Sequence, residues 1–165
     1  MEFKLRPWES GDLENLVRYA NNFNIAKNLT DKFPHPYTLD DGKAFLAMAS
    51  EFDPPRILAI VVEEGAIGSI GVFPQTDVHR YNAEMGYWLA EPYWGRGIIT
   101  RAIARMVDYG FKTWEINRIF ARPYGTNLAS QRVLEKNGFK REALFEKALV
   151  KNGVLLDELI YAIRR

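Results

Sequence analysis

The chain has 165 residues, of which 47% are hydrophobic and 26% charged, with a formal net charge of +1. A balance so close to neutral creates no global field that would recruit nucleic acid or a membrane surface. With no cysteine and only His35 and His79 as histidines, the chain can form neither a disulfide, a thiolate nucleophile nor a histidine-rich metal site. No apolar run of about 18 residues and no signal peptide is visible, so no membrane contact and a cytoplasmic location are expected.

A first strand is predicted at 2–6, with Phe3 and Leu5 on one face and Pro7 as its stop. Ser10-Gly11-Asp12 offers an N-cap region for a helix carrying Leu13, Leu16, Val17 and Ala20 at helical spacing. A short helix within 21–29 is expected, and then Pro34 and Pro36 exclude regular helix around His35. Thr38 and Asp41 form a capping-box pattern before a helix that should turn Ala44, Phe45, Met48, Ala49 and Phe52 towards the core. Beyond Pro54-Pro55 the continuous run Ile57-Leu58-Ala59-Ile60-Val61-Val62 reads as a buried strand. Glu63-Glu64-Gly65 turns into a second strand at 66–73, where Gly68 and Gly71 mark a bulge or a close approach.

After a polar loop at 74–81, a central strand at 82–90 leads through a turn into a helix at 98–111, and a fifth strand follows at 117–122. Asn127 can cap a helix to about Lys136, with Val133 and Leu134 inward, and Gly138 suits the left-handed position past its end. Strands at 143–150 and 154–163 flank Asn152-Gly153, the strongest hairpin signal in the chain. This order describes one α+β domain over 1–165, with a mixed, mostly antiparallel seven-stranded sheet and helices on both faces. The unit from 82 to 122 requires one parallel strand pair. A gap in the sheet near Leu89 would leave strand ends open to an extended ligand. The final hairpin offers an edge through which a homodimer can form.

The stretch Tyr93-Trp94-Gly95-Arg96-Gly97-Ile98-Ile99-Thr100 joins the central strand to its helix. A glycine-rich turn at a helix N-terminus suits a phosphate, because backbone N–H groups converge there and glycine admits close approach. Arg96 adds positive charge, and no acidic residue lies between Pro92 and Met106. A tight strand-to-helix turn alone would look the same. The stretch is no P-loop, lacking Gly-Lys-Ser/Thr, and it lacks the third glycine of the dinucleotide fingerprint.

Three segments carry a family resemblance. They are Glu84-Met85-Gly86-Tyr87-Trp88-Leu89, then Tyr93-Trp94-Gly95-Arg96-Gly97, then Asn127-x-x-Ser130-x-Arg132-x-x-Glu135-Lys136-x-Gly138-Phe139. In this order and spacing the chain resembles the GNAT superfamily of N-acetyltransferases, and most of all its RimJ/RimL-type branch, which includes acetyltransferases of ribosomal-protein N-termini. Pro36-Tyr37-Thr38 fits that branch as well. The resemblance implies that the turn from Trp94 to Ile98 holds the pyrophosphate of acetyl-CoA. It assigns that contact to the backbone N–H groups of Gly95, Gly97 and Ile98, with Arg96 and Thr100 assisting. It further implies that Leu89 and Ala90 present backbone to the pantetheine arm, and that the Asn127 side chain contacts that arm.

The chain departs from the wider superfamily at two positions. Pro92 stands where Gln or Arg often begins the phosphate turn, and Leu134 stands where a tyrosine often serves as acid for the departing thiolate. The Rim-type branch shares the second loss and carries a serine where Ser130 stands, which makes Ser130 the candidate donor. Serine in a first helical turn also bonds local backbone, so both roles stay open.

For the base, strand alternation puts Glu84, Gly86 and Trp88 on one face and Met85, Tyr87 and Leu89 on the other. Glu84 reads as a buried general base, as an exposed strand-end glutamate, or as the partner of an arginine, with Arg80 and Arg118 in reach. His35, Tyr37 and Tyr87 are candidates to line the acceptor mouth, and Asp157-Glu158 to meet an incoming cation. The expected activity is acetyl transfer from acetyl-CoA to a primary amine, foremost a protein N-terminal α-amine, without a metal and without direct nucleic-acid binding. Two alternatives stand beside it: acetylation of a small amine such as an antibiotic, polyamine or amino acid, and a non-catalytic acyl-CoA sensor.

Overall fold

Apolar runs and turn chemistry place seven strands and five helices along the chain, and the computed structural model describes every residue from Met1 to Arg165. The strands form one sheet in the order β1-β2-β3-β4-β5-β7-β6. The chain divides into two compact units, Met1–Gly71 with Tyr87–Ile98, and Val72–Gly86 with Ile99–Arg165. The mixed, mostly antiparallel α+β arrangement expected from the sequence is the one observed.

In the first unit β1 (Lys4–Pro7) pairs antiparallel with β2 (Ile57–Val62), and β2 with β3 (Gly65–Pro74). Pro7 closes β1 from within, opposite Leu58, rather than lying beyond its end. All six residues of β2 are buried, as a continuous branched run requires. A register shift between Ile60 and Val61 marks a bulge, and Gly68 opposite Ile60 is a close approach. A Cβ on Gly68 would lie 2.5 Å from the Trp88 carbonyl oxygen and 3.1 Å from Leu89 Cα.

The helices of this unit are α1 (Leu13–Ala20), the single turn α2 (Phe23–Ala26) and α3 (Leu39–Ala49). The Thr38–Asp41 capping box forms in both directions, with Asp41 N donating to Thr38 Oγ1 and Thr38 N to Asp41 Oδ2. The inward face of α3 is rotated from the expected one. Gly42 and Ala49 are buried and Phe45 and Leu46 half-buried, while Ala44 and Met48 are exposed. The reason is Gly42, whose missing Cβ admits Val17 and Leu13 of α1 at 2.7 and 2.9 Å from its ideal position. A glycine therefore sets the apolar stripe that larger side chains had suggested elsewhere.

β4 (Asn82–Leu89) belongs to the second unit as far as Gly86 and there runs parallel to β5 (Arg118–Ala121), with Asn82 opposite Arg118 and Glu84 opposite Phe120. The ladder ends at Glu84 although β4 continues to Leu89. Pro123, which has no N–H to donate, follows the end of β5. The connecting helix α4 (Ile98–Thr113) buries Ile98, Ala102, Ile103, Met106 and Val107. Near its end Gly110 lets it approach Ile119 and Val72.

Helix α5 (Leu128–Lys136) ends at Gly138 with φ +82°, and Phe139 packs back, buried, its N–H on the Leu134 carbonyl. Tyr161 Oη donates to Glu135 Oε1 at 2.9 Å, fixing α5 to the sheet face that also carries Ile119 and Ala121. The hairpin of β6 (Lys140–Lys151) and β7 (Val154–Arg164) turns at Asn152-Gly153, both at positive φ.

Candidate active site

The strand end and glycine turn lie in the first unit. Gly95 and Gly97 have φ of +74° and +70°, a backbone that only glycine adopts readily, and an added Cβ at either would meet nothing within 4 Å. Both glycines are exposed just before α4, and Ile98, the first residue of that helix, is buried. Trp94, which precedes Gly95, is 45% exposed, and its indole Nε1–H donates to the Leu89 carbonyl at 2.7 Å. Ala90 N–H donates to Ile67 O at 2.7 Å, so it is bonded within the sheet rather than turned to a ligand. The Leu89 carbonyl retains a second lone pair for an incoming amide. The Arg96 guanidinium lies over the Tyr93 ring, 5.5 Å from its centroid.

Among the expected acceptor-side residues, His35 is exposed and meets the exposed Phe23 edge-on at 5.8 Å. Tyr37 does not line an open mouth. It is 5% exposed and tilted against Phe33, which in turn meets Trp88. Burial, helped by the Asp41 charge, pushes its hydroxyl up to about 12. Tyr87 is half-buried in β4, and Trp88 belongs to the core.

The second unit carries Glu84, Thr100, Asn127 and Ser130. Glu84 is neither buried nor paired with Arg80 or Arg118. Its side chain is 31% exposed, and Arg122 holds both oxygens, Nε on Oε1 at 3.0 Å and Nη2 on Oε2 at 3.2 Å. The parallel register explains the choice. Arg118 stands level with Asn82, to whose Oδ1 it donates, and reaches Glu142, whereas Arg122 lies two residues past Phe120, the partner of Glu84. Arg80 instead covers the Tyr81 ring. The guanidinium of Arg122 is held above its ordinary range by the Glu84 hydrogen bonds, against desolvation, with the charges of Glu84 and Glu158 adding.

Asn127 Oδ1 accepts from Ser130 N at 3.2 Å, so it is the N-cap of α5, a role that occupies only its carbonyl oxygen. Ser130 is half-buried in the first turn. Thr100 lies in the first turn of α4, and its carbonyl accepts from Asn137 Nδ2. Asp157 is used structurally, with Oδ1 accepting from Lys147 N and its carbonyl from Gly125 N.

Sequence reasoning missed two groups that touch this machinery. Arg122 was hidden because strand register across a helical crossover leaves no local mark. Glu91, two residues past the end of β4, accepts from Asn22 and Asn24. The asparagine-rich run 21–24 was the one available signal for that contact. No group of three or more histidine, aspartate or glutamate side chains is placed to hold a metal, and no helix is long and apolar enough to cross a membrane.

A strand that outlasts its parallel partner and runs into a glycine turn at a helix N-terminus is an arrangement that suits a phosphate group. The family model described as acetyltransferase (GNAT) domain matches residues 2–140, and the chain belongs to that family. It is an N-acetyltransferase. It is similar to the uncharacterised N-acetyltransferase YnaD of Bacillus subtilis, 29% identical over 160 residues, which are 96% of this chain and 91% of that protein. It is similar also to the ribosomal-protein-serine acetyltransferase of Escherichia coli, 30% identical over 107 residues, which are 65% of this chain and 59% of that protein. Among solved structures, the microcin C7 self-immunity acetyltransferase MccE in complex with acetyl-CoA and AMP aligns with a TM-score of 0.85 at 25% identity, covering 99% of this chain and 93% of that one.

Proposed function

We propose that this chain transfers acetyl from acetyl-CoA to a primary amine, and that the preferred acceptor is a protein N-terminal α-amine. The observation that carries the reading is the turn at 94–98, where two exposed glycines at positive φ stand at the start of a long helix. Family membership and the acetyl-CoA-bound MccE structure support the donor. The likeness to a ribosomal-protein-serine acetyltransferase supports the acceptor. The whole of 1–165 acts as one acetyltransferase domain in this reading, in the cytoplasm.

The reaction needs a neutral amine, donors for the oxyanion that develops at the thioester carbonyl, and a proton for the departing thiolate. At pH 7 an α-amine of pKa about 8 costs about 1–1.5 kcal/mol to deprotonate, and a lysine of pKa about 10.4 costs about 4–5 kcal/mol. A modest base suffices for the former. In our reading Glu84 takes the amine proton once an arriving acceptor draws it from Arg122, and Ser130 donates to the thiolate. Gly95, Gly97 and Ile98 N–H groups bind the pyrophosphate with Arg96 and Thr100, while Leu89 and Asn127 hold the pantetheine arm.

A small-molecule acceptor is the second reading, supported by the MccE likeness and by the exposed Phe23–His35 pair as a platform. The exposed Leu144, Phe145, Val150, Val154 and Leu155 of the final hairpin support a homodimer. Sedimentation that returns only monomer removes it.

The test of function is acetyl-CoA turnover against peptides with different N-terminal residues, aminoglycosides, polyamines and free amino acids. Turnover confined to peptides with a free α-amine is expected. Turnover on a small amine overturns the acceptor, and silence across the panel with acetyl-CoA bound overturns the transfer itself.

A further inference from the structure

The carboxylate that follows β4 is tied to a distant segment of the first unit. Asn22 Nδ2 donates to Glu91 Oε2 at 2.6 Å, and Asn24 Nδ2 is shared between Oε1 and Oε2 at 3.2 and 3.3 Å. Asn22 is also the N-cap of α2, its Oδ1 accepting from Asn24 N at 2.8 Å. One residue earlier, Asn21 Oδ1 accepts from Tyr37 N at 3.0 Å. The asparagines at 21–24 therefore join three things: the start of α2, the backbone at Tyr37 and the carboxylate of Glu91.

Glu91 in turn opens the single helical turn Glu91–Tyr93 that leads to the glycines. Its carbonyl accepts from Trp94 N at 3.1 Å, and Trp94 holds the Leu89 carbonyl. Tyr19 near the end of α1 braces the same turn, edge-on to Tyr93 at 6.1 Å.

A carboxylate accepts several donors at once and offers none, so it can gather two amides where a neutral side chain would leave one unmatched. Bonds to an ionised acceptor are also roughly twice as strong as neutral ones. The Asn22 and Asn24 donors, outweighing desolvation and helped by the Lys27 charge, hold the Glu91 carboxyl below its ordinary range. Fixing Glu91 fixes the lead-in to the glycine turn, and the same bonds fix the start of α2.

We propose that Glu91 is a positioning residue that couples the acetyl-donor turn to the segment 22–37, which carries the exposed Phe23–His35 pair read above as an acceptor platform. The inference rests on the donor site read above. An acetyl-CoA molecule that orders residues 89–98 then orders 22–37 through Glu91, and an acceptor that orders 22–37 tightens the donor turn by the same factor.

The test is hydrogen exchange read by mass spectrometry on the full chain, with and without acetyl-CoA, for the wild type, Glu91→Ala, Glu91→Asp and Asn24→Ala. In the wild type acetyl-CoA should slow exchange at 89–100 and also at 22–37, the latter by about fivefold or more. In Glu91→Ala the protection at 89–100 should persist while that at 22–37 is lost. Asn24→Ala, which removes only one arm, should lie between, and Glu91→Asp should restore part of the protection. With the most active acceptor of the panel, Glu91→Ala should raise KM several-fold at nearly unchanged kcat.

Equal protection of 22–37 in the wild type and Glu91→Ala overturns the coupling, as does wild-type protection confined to 89–100. No protection at 89–100 in the wild type overturns the donor site itself, and the coupling with it. A lowered Tm with unchanged exchange and KM reduces Glu91 to a structural contact and overturns the proposal.

Discussion

Gly68 offers a prediction whose size follows from geometry. A Cβ there would lie 2.5 Å from the Trp88 carbonyl oxygen, and real Cβ atoms essentially never come within 3.0 Å of a neighbour. The obstacle is backbone, flanked by Leu89 Cα and Cδ1, both at 3.1 Å, so no rotamer change relieves it. Gly68→Ala must push the end of β4 away from β3, next to the 2.7 Å bond from Ala90 N to Ile67 O. Overpacking of this kind costs about 1–3 kcal/mol. At about 2–4 °C per kcal/mol for a chain of this size, Tm should fall by roughly 2–12 °C.

Gly86→Ala is the matched control in β4. Its Cβ would meet nothing within 4 Å and its φ is not left-handed. There alanine should leave stability within about 0.5–1 kcal/mol and tend to raise it, because glycine loses more freedom on folding. Calorimetry of the three proteins, with acetyl-CoA titrated into each, reads both effects. Gly68→Ala should also weaken acetyl-CoA, since Leu89 and Ala90 move with the strand end. Equal Tm for Gly68→Ala and wild type would refute the close approach, and a lower Tm with unchanged affinity would separate the strand end from the ligand.

Glu84→Gln should lower turnover by about a hundredfold or more at low pH, and less at high pH where the amine is already neutral, with acetyl-CoA affinity near wild type. A pH–rate profile that keeps its shape removes Glu84 from the mechanism. Gly97→Glu places bulk and negative charge in the glycine turn at φ +70°. Its acetyl-CoA affinity should drop by about a hundredfold or more, and retained affinity in a titration sinks the phosphate assignment.

Asp12 is buried and accepts from Arg6 Nη1 and Nη2 at 2.7 and 2.8 Å and from Glu9 N at 2.9 Å. Burial pushes its carboxyl up, but those bonds and the Arg6 charge together outweigh it and hold it below its ordinary 3.8. The stability it contributes is therefore complete well above pH 3.8 and is lost as pH falls through the lower folded value. Asp12→Asn should cost about 1–3 kcal/mol at pH 7 by removing the charge that faces Arg6, leaving only the more distant Glu9 carboxylate at 3.8 Å, and the Tm gap should close as pH falls below 3.8. A gap that stays constant to pH 2 contradicts this account.

Local patterns carried most of the elements. The β2 run, the Thr38–Asp41 box, the Asn127 cap, Gly138 and the Asn152-Gly153 turn all depend on interactions within a few residues, so their signatures stand in the sequence itself. The α3 face failed for a tertiary reason. Gly42 has no apolar side chain to count, yet it is where α1 packs. Tyr37 failed likewise, because only the fold buries it beside Phe33, which itself lies against Trp88.

At the candidate site the division is sharper. The amino-acid order alone determined that a strand meets a glycine turn and then a helix, because glycine's access to positive φ is a property of the residue. It determined too that Glu84 faces away from Met85, because strand alternation is a property of the backbone. Only the tertiary structure decided that Arg122 grips Glu84, and that Glu91 gathers asparagines from 69 and 67 residues away. Those partners are set by parallel register and by packing between distant segments. Neither is constrained by the spacing of residues along the chain, so no local pattern records them.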